Sequence, residues 1–172
     1  MASTLRVGDA LKNPGQEFPF TADAEIPEME VLGDPVLFEN ITVSGTMVGT
    51  SETVSVKAEV RANVESLCAR CREKVVSPIV AELDAEFVRE PDSENPDLYA
   101  FEGTNVDLSQ AISDALILAL PFRFLCKEDC KGLCPKCGAN LNAGSCSCPE
   151  DIEDNSNPFA ALRMIVDHNE EV

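Results

Sequence analysis

Histidine is nearly missing from this 172-residue chain, which has only His168, close to the C-terminal end. With one imidazole, a Ser-His-Asp site or a two-histidine metal helix has nothing to be built from. His168 itself reads as a surface residue rather than a ligand. The motifs H-E-x-x-H, G-x-S-x-G, the Walker loop and G-x-G-x-x-G are also missing. Carboxylates are plentiful, but they spread along solvent faces with no pair singled out. These absences argue against an enzyme. Aromatic residues are eight Phe and one Tyr, without the basic-aromatic alternation that stacks single-stranded RNA. Long hydrophobic runs are lacking as well. The longest, residues 115–120, falls far short of the roughly 20 residues that span a bilayer. The opening MASTLRVGDALKNPGQ has no basic stretch leading into an apolar core. The expectation is a cytoplasmic protein with no membrane partner and reduced thiols. Positive charge is scarce too: 13 Lys and Arg stand against 31 Asp and Glu, a formal charge of -18. Such a chain repels phosphate backbones, so DNA is not an expected partner and basic proteins are.

The charge is unevenly placed. Residues 82–107 hold nine acids and one base, Arg89; residues 149–172 hold seven acids and one base, Arg163. Two stretches have the opposite sign. Residues 61–74 carry Arg61, Arg70, Arg72 and Lys74 against Glu65 and Glu73. Residues 123–136 carry Arg123, Lys127, Lys131 and Lys136 against Glu128 and Asp129. The plain account is solvated surface. The sharper one is a local contact for a partner, drawing on Arg70, Arg72, Arg123, Lys127, Lys131 and Lys136. Any contact with a nucleic acid would be confined to such a patch.

From Val36 onward the pattern is β. Ile41, Val43 and Met47 alternate with Thr42, Ser44 and Thr46, and a turn follows at Gly49, Thr50, Ser51 and Glu52. Val54, Val56, Ala58, Val60, Ala62 and Val64 then share one face, with polar residues between them. A third strand puts Ile79, Ala81, Leu83, Ala85 and Phe87 on one side. Short connections favour an antiparallel meander, which places Cys68 and Cys71 in the turn between two strands. Residues 91–96 (PDSENP) read as a loop, and residues 98–101 as a short strand. DLSQAISDALILALP reads as a helix with Asp107 as N-cap, Gln110 completing a capping-box pair, and Pro121 marking the stop. Its stripe of Leu108, Ala111, Ile112, Ala115, Leu116 and Ala119 should cover the sheet's apolar face. A short helix starting at Pro158, with Phe159, Leu162 and Ile165 or Val166 on its apolar side, follows an acidic linker.

The expected architecture is therefore α+β: an antiparallel β-meander or barrel-like sheet, one covering helix, and a C-terminal cysteine-rich zinc module. The boundaries are 1–121 for the β-rich domain with its helix, 122–150 for the cysteine module, and 151–172 for the acidic linker and short helix.

Six of the eight cysteines lie in CKEDCKGLCPKCGANLNAGSCSC, which begins at Cys126, and the other two in LCARC. Apart from cysteine, residues 124–149 offer few apolar side chains: Leu125, Leu133, Ala139, Leu141 and Ala143 beside Phe124. So small a core cannot offset the entropy of ordering the segment, so something must staple it. Disulfides require an oxidising compartment. The spacings match neither common iron–sulfur run, and a redox C-x-x-C pair belongs at the start of a helix. Zinc fits. Cys134-Pro135-Lys136-Cys137-Gly138 has the form of a zinc knuckle, and Cys146-Ser147-Cys148 can close its tetrahedron. Cys68, Cys71, Cys126 and Cys130 remain for a second site. This is the simplest partition; Cys126 or Cys130 could exchange with Cys146 or Cys148, and one cysteine of the C-x-C pair could be a spectator. Two ions held by four thiolates each leave no open coordination position, so both zinc sites would be structural.

Together, the strand ending in VESLCARC, the acidic loop, DLSQAISDALILALPF, CKEDCKGLCPKCGANLN with its closing CSC, and NPFAAL resemble the YceD-like family of large ribosomal RNA subunit accumulation proteins, in its cysteine-rich bacterial type. The likeness runs from about Val36 to Leu162. It implies a role in accumulation or processing of 23S rRNA and in assembly of the large subunit. It also implies a shared pathway with a small zinc-binding large-subunit protein, whose gene often lies beside the family's. Family members differ in how many C-terminal cysteines they keep, so metal there would stabilise the module without carrying the common function. The resemblance supplies no catalytic residues. The partners it implies are a basic ribosomal protein or a pre-ribosomal particle. Two other classes compete. A thiol redox or zinc-sensing protein would cycle its thiols or lack stable metal. A zinc-ribbon-like transcription module would bind polymerase or DNA, against the charge.

Overall fold

The computed structural model describes residues 3–31, 33–90 and 98–148. The PDSENP loop, the acidic linker, the helix expected from Pro158 and His168 lie outside these residues. Three long strands form the centre: β4 (Asp34–Gly49), β5 (Thr53–Leu67) and β6 (Lys74–Val88). They are antiparallel neighbours. β5 and β6 pair without a slip from Thr53↔Val88 to Leu67↔Lys74. The alternation seen in the sequence is the alternation of burial. Val54, Val56, Val60, Ala62 and Val64 of β5 are buried, as are Ile79, Ala81, Leu83, Ala85 and Phe87 of β6. The β4–β5 register shifts between Glu39 and Thr42. Asn40 sits there at φ 53, a conformation that asparagine tolerates better than most residues, and an extra residue at such a point bends a strand.

Residues 3–31, ahead of the β pattern that begins at Val36, supply four more elements. They are β1 (Thr4–Arg6), α1 (Gly8–Lys12), β2 (Glu17–Ala24) and β3 (Met29–Val31). β2 and β3 both pair with β4, from Glu17↔Val48 to Ala24↔Ile41 and from Met29↔Val36 to Val31↔Asp34. A weak period-two signal was present in Phe18, Phe20, Ala22 and Ala24. Pro19 interrupts it, and an edge strand can accept that proline because one side of its ladder is unpaired. β7 (Leu98–Ala100) adds to the far edge of β6, in parallel. β8 (Asn105–Asp107) pairs with β1 in a separate two-stranded piece.

The main sheet runs β2–β4–β5–β6–β7, with β3 beside β4. It is an open sheet: β2 and β7 lie at its edges, and no pairing among the described residues closes it into a barrel. α2 (Ser109–Ala119) packs chiefly on β6. Its buried Ala111, Ile112 and Leu116 join Leu108 and the inner faces of β4, β5 and β6 in one core, so the apolar stripe does cover the sheet. The cap differs from expectation. Leu108 is the N-cap residue; Asp107 instead accepts the Ser109 N–H at 2.9 Å. Gln110 donates its Nε2 forward to Asp114 Oδ1 at 3.0 Å rather than turning back, a pairing one turn along the helix with a charged acceptor. The chain forms two compact units, Met1–Gly132 and Leu133–Val172. Cys126 and Cys130 thus belong with the sheet. Neither apolar cluster includes a residue beyond Cys130.

Candidate metal centres

β5 ends at Leu67 and β6 begins at Lys74, so the unbroken register of this hairpin sets where Cys68 and Cys71 stand. The turn is closed by the Cys68 N–H donating to the Glu73 carbonyl at 2.8 Å and the Arg72 N–H donating to the Cys68 carbonyl at 2.9 Å. Arg72 takes φ 62 to make it. The segment after α2 comes to this turn. The Ala69 N–H donates to the Phe124 carbonyl at 2.8 Å, and the Cys126 N–H points at the Cys68 sulfur at 3.4 Å. Arg70 then straps the next loop by donating to the carbonyls of Cys130 at 2.8 Å and Glu128 at 3.3 Å. At Gly132, φ is +75, and a Cβ would lie 3.1 Å from the Arg70 carbonyl oxygen. A side chain at this position would therefore push against the strap.

The sulfurs of Cys68, Cys71, Cys126 and Cys130 lie within 4.8 Å of one another. Cys71 and Cys126 are 3.6 Å apart, and Cys68 and Cys130 are 3.9 Å apart. A tetrahedral zinc with bonds of about 2.3 Å sets its sulfurs about 3.8 Å apart, so the cage has the right size. Cys68, Cys71 and Cys130 are buried with Val75 and against Leu125, while Cys126 is exposed.

The second cluster is built locally. Leu133 and Asn140 form an antiparallel bridge. The Cys134 N–H donates to the Ala139 carbonyl at 2.8 Å, and the Gly138 N–H donates to the Cys134 carbonyl at 2.9 Å. Gly138 has φ +72, which a side chain would resist. An Asn140 turn follows, with its Oδ1 accepting from the Asn142 N–H, and leads to Cys146 and Cys148. The sulfurs of Cys134, Cys137, Cys146 and Cys148 also lie within 4.8 Å of one another. Here only Cys134 is buried; Cys137 is exposed and the other two are half-buried.

Each cluster divides its thiols in the same way. Burial would raise the Cys68 thiol, but N–H groups of Cys71, Cys126 and Arg70 aimed at its sulfur outweigh burial and bring it to about 6. The N–H groups of Cys137 and Lys136 bring Cys134 to about 6. At Cys71 the Glu73 N–H pulls downward, yet burial and the surrounding thiols push it up to about 12. Cys148 is pushed up to about 12, first by Cys137. Four crowded thiols cannot all ionise beside one another unless a cation sits among them. Both tetrads could hold a metal ion, in the partition the spacing favoured.

The basic residues are divided in use. Arg70 is the strap, and Arg72 is paired with Asp34. Arg123, Lys127 and Lys131 are exposed on the sheet unit, and Lys136 is exposed on the cysteine unit. Sequence reasoning missed the Arg70 strap, since nothing local links it to the Cys130 carbonyl 60 positions away. It also missed an apolar lip near the first tetrad, where Leu118 is 86% and Phe122 is 101% exposed.

The fold and its sites define a class: an open α+β sheet protein carrying two all-cysteine clusters able to hold metal. The family model described as "Large ribosomal RNA subunit accumulation protein YceD" matches residues 56–165, and the chain belongs to that family. Among curated relatives, an uncharacterized protein of Mycobacterium tuberculosis is 38% identical over 97 residues, covering 53% of this chain and 46% of its own length. "Large ribosomal RNA subunit accumulation protein YCED homolog 1, chloroplastic" from Arabidopsis thaliana is 38% identical over 63 residues, 36% of this chain and 20% of the relative. The protein of the same name from Zea mays is 28% identical over 120 residues, 50% of this chain and 41% of the relative. The chain spans less than half the length of these relatives. No solved structure matches it. Among the described residues no helix is long and apolar enough to cross a membrane.

Proposed function

We propose that this protein is a non-enzymatic, cytoplasmic factor for accumulation and processing of 23S rRNA and assembly of the large ribosomal subunit, stabilised by two structural zinc ions. Family membership, with two relatives whose names state large ribosomal RNA subunit accumulation, supports the ribosomal role. The observation that supports the zinc reading is the pair of four-sulfur groups, each with its sulfurs within 4.8 Å of one another. Cys68, Cys71, Cys126 and Cys130 would hold one ion, and Cys134, Cys137, Cys146 and Cys148 the other. Bound there, zinc supplies a fixed crosslink and no reactive position, because four thiolates complete its shell.

With a formal charge of -18, the surface favours a basic ribosomal protein or a pre-ribosomal particle displaying one. Arg123, which lines the same groove as Leu118 and Phe122, together with the exposed Lys127 and Lys131, supplies the place for a local contact with protein or rRNA. Lys136 offers the same on the cysteine unit. Depletion should lower the large-to-small subunit ratio and raise precursor 23S rRNA on sucrose gradients and RNA blots. Unchanged ratios and precursors would sink the ribosomal role. A thiol redox reading draws on Cys68 and Cys134, whose thiols backbone N–H groups bring to about 6, although both are buried and a reactive thiolate also needs access. Metal content of the reduced protein separates the two: two zinc per chain supports the structural reading, and none favours redox chemistry.

A further inference from the structure

The two cages have the same kind of ligand, each with its sulfurs within 4.8 Å of one another, but different walls. In the first, three of four sulfurs are buried, with Cys68 at 0% and Cys130 at 3% exposure. The ligand pairs come from two segments, 68–71 and 126–130. These are joined by the Ala69–Phe124 hydrogen bond and by two bonds from Arg70. Opening that cage requires separating a β-hairpin turn from the segment after α2, with Val75 and Leu125 packed between them.

In the second, all four ligands come from residues 134–148. One sulfur is exposed and two are half-buried. No member of either apolar cluster lies in that stretch. Its internal support includes one bridge and turn hydrogen bonds, all between residues of the same short stretch. Metal transfer from a thiolate site proceeds by an incoming ligand reaching the ion as a departing sulfur swings away. It therefore needs access and a local opening that costs little, and segments with few apolar contacts open most readily.

We propose that the Cys134, Cys137, Cys146 and Cys148 cage is an exchangeable site for zinc and other thiophilic divalent ions, whereas the Cys68, Cys71, Cys126 and Cys130 cage is static. The second cage then gives up and regains its ion with the free-zinc level of its surroundings, and the order of residues 133–148 follows that occupancy. The first cage holds the hairpin turn closed throughout. This rests on the zinc reading of both cages.

The test uses the full chain, purified under reducing conditions, with its zinc content measured before anything is added. A chromogenic chelator, 4-(2-pyridylazo)resorcinol, is mixed in and zinc release is followed with time. Parallel samples are quenched with N-ethylmaleimide, and the alkylated cysteines are located by peptide mass spectrometry. The expected result is two phases of one equivalent each, separated by at least about tenfold in rate, the order of effect that a metal's surrounding hydrogen-bond shell exerts. The fast phase should coincide with labelling of Cys134, Cys137, Cys146 and Cys148. Labelling of Cys68, Cys71, Cys126 and Cys130 should accompany the slow one. A single phase with all eight labelled together, or the first cage labelled first, overturns the inference while leaving the zinc reading intact. A chain that carries no zinc at the start overturns both. The wild-type protein is the reagent for this measurement, so no variant has to fold. As a second measurement, Arg70→Ala should speed the slow phase toward the fast one; no change in the slow phase would overturn the role given to the strap.

Discussion

Cys68 and Cys134 each open a C-x-x-C pair, and backbone N–H groups draw each to about 6. Around the sulfurs the two sites are nearly copies. Behind the sulfurs they differ completely. The first tetrad closes a hairpin turn whose strands continue into a core containing Val54, Val56, Val60, Val64 and Phe87. The second closes a stretch that contributes nothing to any apolar cluster. A metal bound at the first tetrad would thus finish a structure that already stands, whereas one bound at the second would supply much of the order of its stretch. Burying apolar surface scales with the area hidden from water, and residues 133–148 have little to hide.

The largest effect should come from removing metal. Zinc binding to small thiolate modules is worth on the order of 10–16 kcal/mol, which exceeds anything else available to residues 133–148. Excess chelator should abolish amide protection there while the amides of β4, β5 and β6 stay protected, as read by hydrogen-exchange mass spectrometry. Equal loss in both regions would break the contrast. Next is the core. Phe87 is fully buried, and Phe87→Ala should cost about 3–5 kcal/mol in urea unfolding of the sheet, with zinc at the second tetrad unchanged.

Arg70→Ala should cost about 1–3 kcal/mol, because it leaves the carbonyls of Cys130 and Glu128 without their charged donor. That loss should fall on the first tetrad alone. Asp107→Ala removes the acceptor for the Ser109 N–H and should cost about 1 kcal/mol. Hydrogen bonds from the Ser109 side chain and then its backbone hold the Asp107 carboxyl below its ordinary 3.8. A depressed carboxyl stabilises the fold above its unfolded value and loses that contribution as pH falls through its folded value. The gap in melting temperature between Asp107→Asn and wild type should therefore be full at neutral pH and close in acid. The smallest effect belongs to Lys57→Ala, whose exposed pair with Asp84 at 3.3 Å is worth at most about 1 kcal/mol.

Much of the sheet was legible because alternation is a local property. In β5 and β6 each side chain announces its face by its polarity, and burial follows it. The helix was legible for the same reason, down to Leu108, Ala111, Ile112 and Leu116. β2 was not legible: its Phe18 and Phe20 are interrupted by Pro19, and it lies at an edge where burial is partial. The parallel pairing of β7 was hidden as well, since three residues carry no directional signal. The capping box at Gln110 was misread because Asp114 competes for the same amide. The cysteine partition was half legible. Spacing alone could name the Cys134 to Cys148 set, whose members are close along the chain, but could not exclude exchange with Cys126 or Cys130.

The sequence by itself determined that strands would alternate, that one helix would bury one stripe, and that the run of thiols after Cys130 would add little to the apolar core. All of these depend on neighbours within a few positions. Only the tertiary structure decided that Cys68 lies 3.9 Å from Cys130, 62 positions away, and that Arg70 ties the two segments together. The physical reason is that the meeting depends on where the β5–β6 register places its turn and on where α2, docked on β6, releases the chain. Both are set by the whole core rather than by any residue beside the cysteines.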